Sequence, residues 1–224
     1  MNTLYWLNPD AFTATPAELA LLTPEEHAQH QRFIPPGKRH EYLVARVLAR
    51  TVLGEKLGVP PASLRFTTNQ WGRPELESPL HFNLTHTEGL VALFVSDEHE
   101  VGVDTERLAR APTLLRLAPN VFAPKELADL AALPEADRPQ RAVTLWTLKE
   151  SYIKARGMGL ALALDGFAFR FGDEGVRLKV EPRLNDDGAR WQFQTFTHGE
   201  RGEHLISLAL AATVPQRVEL VRPW

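Results

Sequence analysis

Cysteine is absent from the 224-residue chain. That excludes a disulfide framework, thiolate zinc ligands and a cysteine nucleophile, and it leaves the redox compartment open. No run of 18 or more apolar residues occurs, so no membrane-spanning helix is expected. An excess of one charge is also missing. The 25 basic and 28 acidic residues give a formal net charge of -3, which offers no argument for nucleic-acid binding. The segment Met1-Asn2-Thr3-Leu4-Tyr5-Trp6 has neither a basic n-region nor a long apolar run, and predicts no secretory leader. A soluble cytoplasmic protein is the expectation. A chain of this size buries roughly 70–75% of its unfolded surface, so its core requires neither metal nor disulfide.

What is present reads as two rounds of helix followed by strands. Leu4–Leu7 suits a short strand. Two Thr-Pro pairs, Thr15-Pro16 and Thr23-Pro24, supply N-cap oxygens and first-turn prolines for helical turns over Pro16–Leu22 and Pro24–Phe33. Pro35-Pro36-Gly37 interrupts the chain. The periodicity then predicts a helix from Arg39 to Leu57 with Gly58 as its stop. Strands are expected at Leu64–Thr68, Phe82–Leu84, Leu90–Ser96 and Glu100–Glu106. The Ala-, Arg- and Pro-rich stretch 107–120 reads as a connector. A second helix, Ala142–Ala155, precedes strands at Gly166–Phe171, Val176–Val180, Arg190–Thr197 and His204–Ala211. The repeat of order predicts two similar α+β halves, residues 1–103 and 104–224, related by a pseudo-twofold axis.

Two segments carry chemistry. In Val101-Gly102-Val103-Asp104-Thr105-Glu106, strand alternation puts Asp104 and Glu106 on one face and Val101 and Val103 on the other. Gly102 shares the acidic face and is expected to leave open space beside the carboxylates. Like charges this close repel, and a bound cation relieves that. Oxygen-only ligands favour magnesium over zinc. An edge strand with two solvated acids fits the same letters. In Trp146-Thr147-Leu148-Lys149-Glu150-Ser151-Tyr152-Ile153-Lys154, helical spacing stacks Trp146, Glu150 and Lys154 on one side. A surface helix with an ordinary Glu–Lys pair fits that too. The turn Trp71-Gly72-Arg73-Pro74 presents an exposed cation. Phe82-Asn83-Leu84-Thr85-His86-Thr87 ends a strand with a hydroxyl and an imidazole. Arg, Thr and His together suit a phosphate. His27 and His30, three apart on a helix, read as a solvated face.

Taken in order, Trp71–Pro74, Phe82–Thr87, Gly102–Glu106 and Trp146–Leu160 resemble the Sfp-type 4'-phosphopantetheinyl transferase family, within the holo-acyl-carrier-protein synthase superfamily. The joint pattern Phe-Asn-x-Thr-His, Gly-Val-Asp-x-Glu and Trp-x-x-Lys-Glu-x-x-x-Lys-x-x-Gly-x-Gly is highly specific. Two departures are mild: Thr85 stands where serine is common, and Thr105 replaces an aliphatic residue between the acids. The resemblance implies a pseudo-dimeric α+β fold, with coenzyme A in the cleft between halves. It implies magnesium on Asp104, Glu106 and Glu150, and catalytic roles for Glu150 and Lys154. Lys154 would also touch the pyrophosphate or pantetheine end. Gly72, Arg73, Pro74, Asn83, Thr85 and His86 would grip the nucleotide, with Arg46 as an extra phosphate contact. Basic residues before the first long helix, His27, Arg32, Lys38 and Arg39, are all open candidates.

The implied reaction moves the phosphopantetheine arm of coenzyme A to a serine of an apo acyl or peptidyl carrier protein and releases 3',5'-ADP. A monomer is expected. The carrier's pathway, whether fatty-acid, polyketide or nonribosomal peptide, is not legible. A metal-dependent phosphohydrolase or nuclease would also use clustered acids, but with water as nucleophile. A degenerate coenzyme A or carrier-binding module would not require the whole acidic set.

Overall fold

The computed structural model describes residues 1–173 and 175–223, without the side chain of Leu160. Strand β1 (Asn2–Leu7) is followed by helices α1 (Pro16–Leu19) and α2 (Pro24–Arg32). Both helices open on reciprocal caps, Thr15 with Glu18 and Thr23 with Glu26, which satisfy first-turn amides that have no intrahelical partner. Helix α3 (Pro36–Leu57) stops at Gly58, whose φ of 66° is the left-handed conformation glycine adopts without strain. Strands β2 (Phe66–Thr68), β3 (Pro74–Leu76), β4 (His81–Thr87), β5 (Leu90–Ser96) and β6 (Val101–Arg107) follow. The boundary expected at residues 103 and 104 lies inside β6.

The second part holds helices α4 (Ala111–Val121), α5 (Pro124–Ala132) and α6 (Arg138–Arg156). After them come β7 (Phe167–Gly172), β8 (Gly175–Val180), β9 (Trp191–His198), β10 (His204–Ala211) and β11 (Val218–Val221). The stretch 107–120 is therefore largely helical and not a simple connector. Its Ala111, Leu114 and Ala118 are buried on one face against the α6 core, an apolar stripe that the arginines and prolines between them disguise. Helix α5 and strands β3 and β11 were also not expected.

The architecture is helix, sheet, sheet, helix. One large sheet has the order β11-β1-β5-β4 and a second β6-β10-β9, while β2 pairs with β3 and β7 with β8 in two small ones. Alternation along β5 explains the layering. Val91, Leu93 and Val95 pack with α3, while Leu90, Ala92 and Phe94 face Val101, Val103, Ile206 and Leu208 of the second sheet. On the far side of that sheet, Leu205 and Ala209 of β10 pack with α6. The protein is thus α+β, with a long helix on a mainly antiparallel sheet in each half. The C-terminal β11 returns to pair in parallel with β1. Strands β4 and β6 lie side by side at the junction, yet they belong to different sheets and share no ladder. Side chains must therefore join them.

No helix among the described residues is long and apolar enough to cross a membrane.

Candidate active site

The site grows from β6. Its outward parity, Val101 and Val103, fills the layer between the sheets. Asp104 and Glu106 therefore face the other way, and both are buried. Gly102 shares their face but does not leave the expected open space. A Cβ there would sit 2.0 Å from the Ser151 carbonyl oxygen and 2.6 Å from the Ala155 amide nitrogen. The backbone of α6 fills that volume. Absence of a side chain is what lets the helix lie directly on the strand and bring Glu150 and Lys154 beside Asp104. A Gly102→Ala substitution is accordingly expected to cost at least the ~1–3 kcal/mol typical of overpacking. Urea denaturation checks this; an unchanged midpoint would contradict the close approach.

On α6, Trp146, Glu150 and Lys154 line one side and are half-buried, as the spacing predicts. The Lys154 ammonium donates to Asp104 Oδ1 at 2.6 Å, Thr85 Oγ1 at 3.0 Å and the Val103 carbonyl at 3.3 Å. An ammonium has three donors, and all three are engaged. Thr85 also donates to Asp104 Oδ1 at 3.2 Å. Three elements, β4, β6 and α6, thus meet in one hydrogen-bonded cluster.

Electrostatics follows the burial. The Glu150 carboxyl is raised above its ordinary pKa, first by burial and then by the Asp104 charge, with Lys154 opposing and Glu106 adding. Glu106 is raised in the same way, by burial and by Asp104, with Arg110 and a hydrogen bond from Trp146 opposing. Arg110 pairs directly with Glu106. That arginine was not expected in the site, although its position four residues after Glu106 was the available signal.

No group of three histidine, aspartate or glutamate side chains among the described residues is close enough to form a ready metal cage. Asp104 pairs instead with Lys154, and Glu106 with Arg110. The donor chemistry nevertheless fits a hard cation. Asp104 Oδ2 is buried without a partner among the described residues, and the Asp104 charge raises the pKa of both Glu106 and Glu150, a repulsion that a divalent ion would offset.

On β4, Asn83 is buried and its Oδ1 accepts the Val103 amide at 2.9 Å, so it joins the two sheets. His86 Nδ1 lies 3.1 Å from Glu41 Oε2, and Lys38 holds the same oxygen at 2.8 Å. Burial pushes His86 below the usual histidine pKa against the pull of Glu41. Glu41 was missed; Lys38 three residues before it was the only hint. Arg39 donates to the Phe33 carbonyl.

The turn at 71–74 departs from expectation. Gly72 has a φ of 83°, but Arg73 is half-buried and not an exposed cation. Its guanidinium donates to the carbonyls of Ala155, Phe82 and Val101. Gly72, Arg73, Pro74, Asn83, Glu150 and Lys154 line a cleft of about 240 Å³. Arg46 lies outside it, in a groove with Glu26, Tyr42 and Phe66. There its guanidinium sits 5.3 Å from the Tyr42 ring centre and 3.9 Å from Glu26. The last motif runs to Leu160, whose side chain lies outside the described residues.

Residues 100–209 match the model of the 4'-phosphopantetheinyl transferase superfamily. The chain is similar to a putative 4'-phosphopantetheinyl transferase of Synechocystis sp., 34% identical over 71% of this chain and 67% of the relative. It is 30% identical to the 4'-phosphopantetheinyl transferase Sfp of Bacillus subtilis, over 80% of this chain and 78% of that one. A phosphopantetheinyl transferase of Thraustochytrium sp. is 32% identical over 88% of this chain and 73% of its own length.

Proposed function

Because the chain belongs to the 4'-phosphopantetheinyl transferase superfamily, we propose that its cleft transfers the phosphopantetheine arm of coenzyme A to a carrier-protein serine. The observation that supports this most is the cluster in which Asp104, Thr85 and Lys154 meet from β6, β4 and α6, with Glu150 one helical turn from Lys154.

The serine oxygen attacks the pantetheine-side phosphorus. The bond from that phosphorus to the bridging pyrophosphate oxygen breaks, and 3',5'-ADP leaves. Glu150 accepts the serine proton. Its raised pKa makes its ionised form a stronger base than an exposed carboxylate. Lys154, already poised between Asp104 and Thr85, places its charge against the transferring phosphoryl group. Asp104, Glu106 and Glu150 would hold magnesium, which offsets negative charge on the pyrophosphate when bound. Gly72, Pro74, Asn83, Thr85 and His86 line or border the nucleotide end. With its Nδ1–H donated to Glu41, a neutral His86 presents an Nε2 that can only accept, so it would bond a phosphate oxygen only when the ring is protonated; Arg46 would engage only a part of coenzyme A that reaches its separate groove. Positioning of two large substrates supplies much of the rate.

The test is to incubate the protein with coenzyme A, magnesium and apo acyl and peptidyl carriers, then weigh the carriers. The expected result is a gain of one phosphopantetheine that chelator prevents. Hydrolysis of coenzyme A with carriers left apo would replace the transferase reading with the hydrolase.

A further inference from the structure

We infer that Arg73 and Asn69 form a strap that fixes the spacing of the three elements carrying the site, so that Arg73 is a positioning residue and not a phosphate ligand. The inference rests on the transferase reading of the same cleft. Its starting point is the junction between β4 and β6, which lie side by side without a ladder. Something other than backbone pairing must set their separation, and with it the distance from Thr85 to Asp104.

One guanidinium reaches all three elements. Arg73 donates to Ala155 O of α6 at 2.8 Å, to Phe82 O of β4 at 3.3 Å and to Val101 O of β6 at 3.5 Å. Asn69 holds the strap in shape. Its Oδ1 accepts the amides of Trp71 at 2.9 Å and Arg73 at 3.0 Å, while its amide donates to Gly157 O at 2.8 Å.

The carbonyls of Ala155 and Gly157 belong to the end of α6, where the last turn lacks intrahelical donors and a cation is favoured by the helix dipole. The contact is close. A Cβ on Gly157 would lie 3.1 Å from Arg73 Cδ and 3.2 Å from Asn69 Nδ2, and the residue's φ of 65° already favours glycine. Lys154 sits within this turn. If the turn loosens, its ammonium loses the fixed position between Asp104 and Thr85. A planar fork serves several carbonyls at once, and a lysine ammonium on a flexible stem does not reproduce that geometry.

The experiment compares Arg73→Ala, Arg73→Lys and Asn69→Ala with the wild type in three readouts: kcat for carrier modification, the dissociation constant for coenzyme A, and amide exchange across residues 153–157. A strap predicts that all three variants lose roughly ten- to a hundredfold in kcat, the scale of a displaced catalytic group. Affinity for coenzyme A stays within about threefold, and exchange of the α6 end accelerates. The double variant Arg73→Ala/Asn69→Ala should be little worse than the poorer single one, since both act through one contact. A tenfold or larger affinity loss in Arg73→Ala that Arg73→Lys restores, with kcat intact, would make Arg73 a phosphate ligand and overturn the inference. Unchanged exchange would overturn it too. Asn69→Ala keeps the question decidable should Arg73→Ala fail to fold. If the wild type modifies no carrier, the transferase reading fails by itself, and the exchange data still decide the strap.

Discussion

Glu150→Gln is expected to lower turnover by about two to four orders of magnitude at saturating magnesium, the range general-base catalysis commonly supplies. An amide cannot accept the serine proton, yet it preserves the shape of the side chain. The same substitution should stabilise the fold at neutral pH when no divalent cation is present. Burial and the charge of Asp104 raise the folded-state pKa of Glu150 above its ordinary value of 4.5. A carboxyl shifted upward contributes stability while it is protonated, below its unfolded pKa, and loses that contribution as pH rises through the folded pKa. At neutral pH the ionised group is therefore a liability that glutamine removes. The melting temperature of Glu150→Gln in chelator should exceed the wild type's at pH 7, and the difference should shrink as pH falls through the raised folded-state pKa and level off below the ordinary value of 4.5. Near-normal turnover would reject the base assignment. A lower melting temperature at pH 7 would reject the electrostatic account.

Lys149→Met is expected to destabilise the protein by about 3–5 kcal/mol, the cost of leaving a buried charge without its partner. Lys149 and Glu126 are both fully buried and paired at 2.9 Å. The lysine also donates to the carbonyls of Leu164 and Phe167 at 2.9 and 3.0 Å. Glu126 accepts the amides of Ala123 and Phe169, each at 2.8 Å. Every strong group in the set is matched, so the loss of one member strands the others. The pair ties α5, β7 and α6 together one residue from Glu150. Adding Glu126→Gln to the lysine variant should recover part of the loss, because the remaining charge is neutralised and an amide oxygen still accepts one backbone N–H. Chemical denaturation of the single and double variants measures both effects. A single-variant loss under about 1 kcal/mol would show that the pair is solvated and not buried.

Much of the site could be read in advance, for reasons of periodicity. A two-residue period placed Asp104 and Glu106 together, and a helical period placed Glu150 and Lys154 together; both groupings hold in the structure. Gly58 as the end of α3 followed from backbone chemistry alone. The surroundings of Gly102 and Arg73 were misread because each depends on a distant neighbour. A glycine beside two acids looks like space until a helix is laid on it, and an arginine in a turn looks exposed until three carbonyls close around it. Asn69 had no distinguishing local pattern, since its partners are chosen by packing, and the only local signals for Glu41 and Arg110 were their helical-spacing partners Lys38 and Glu106.

The sequence by itself determined the two long helices and most of the strands, which face of β6 is acidic and which residue types are available for phosphate and cation chemistry. These properties are carried by local stereochemistry and by alternation of side chains along an element. Only the tertiary structure decided that β4 and β6 meet without a ladder, that Lys154 rather than a third carboxylate stands against Asp104, and that Lys149 turns inward to Glu126 while Glu150 faces the cleft. Residues 149 and 150 are adjacent and both charged, and no local rule assigns one to the core. The assignment comes from the way α6 rests on the second sheet, where the missing side chain of Gly102 lets the two backbones touch.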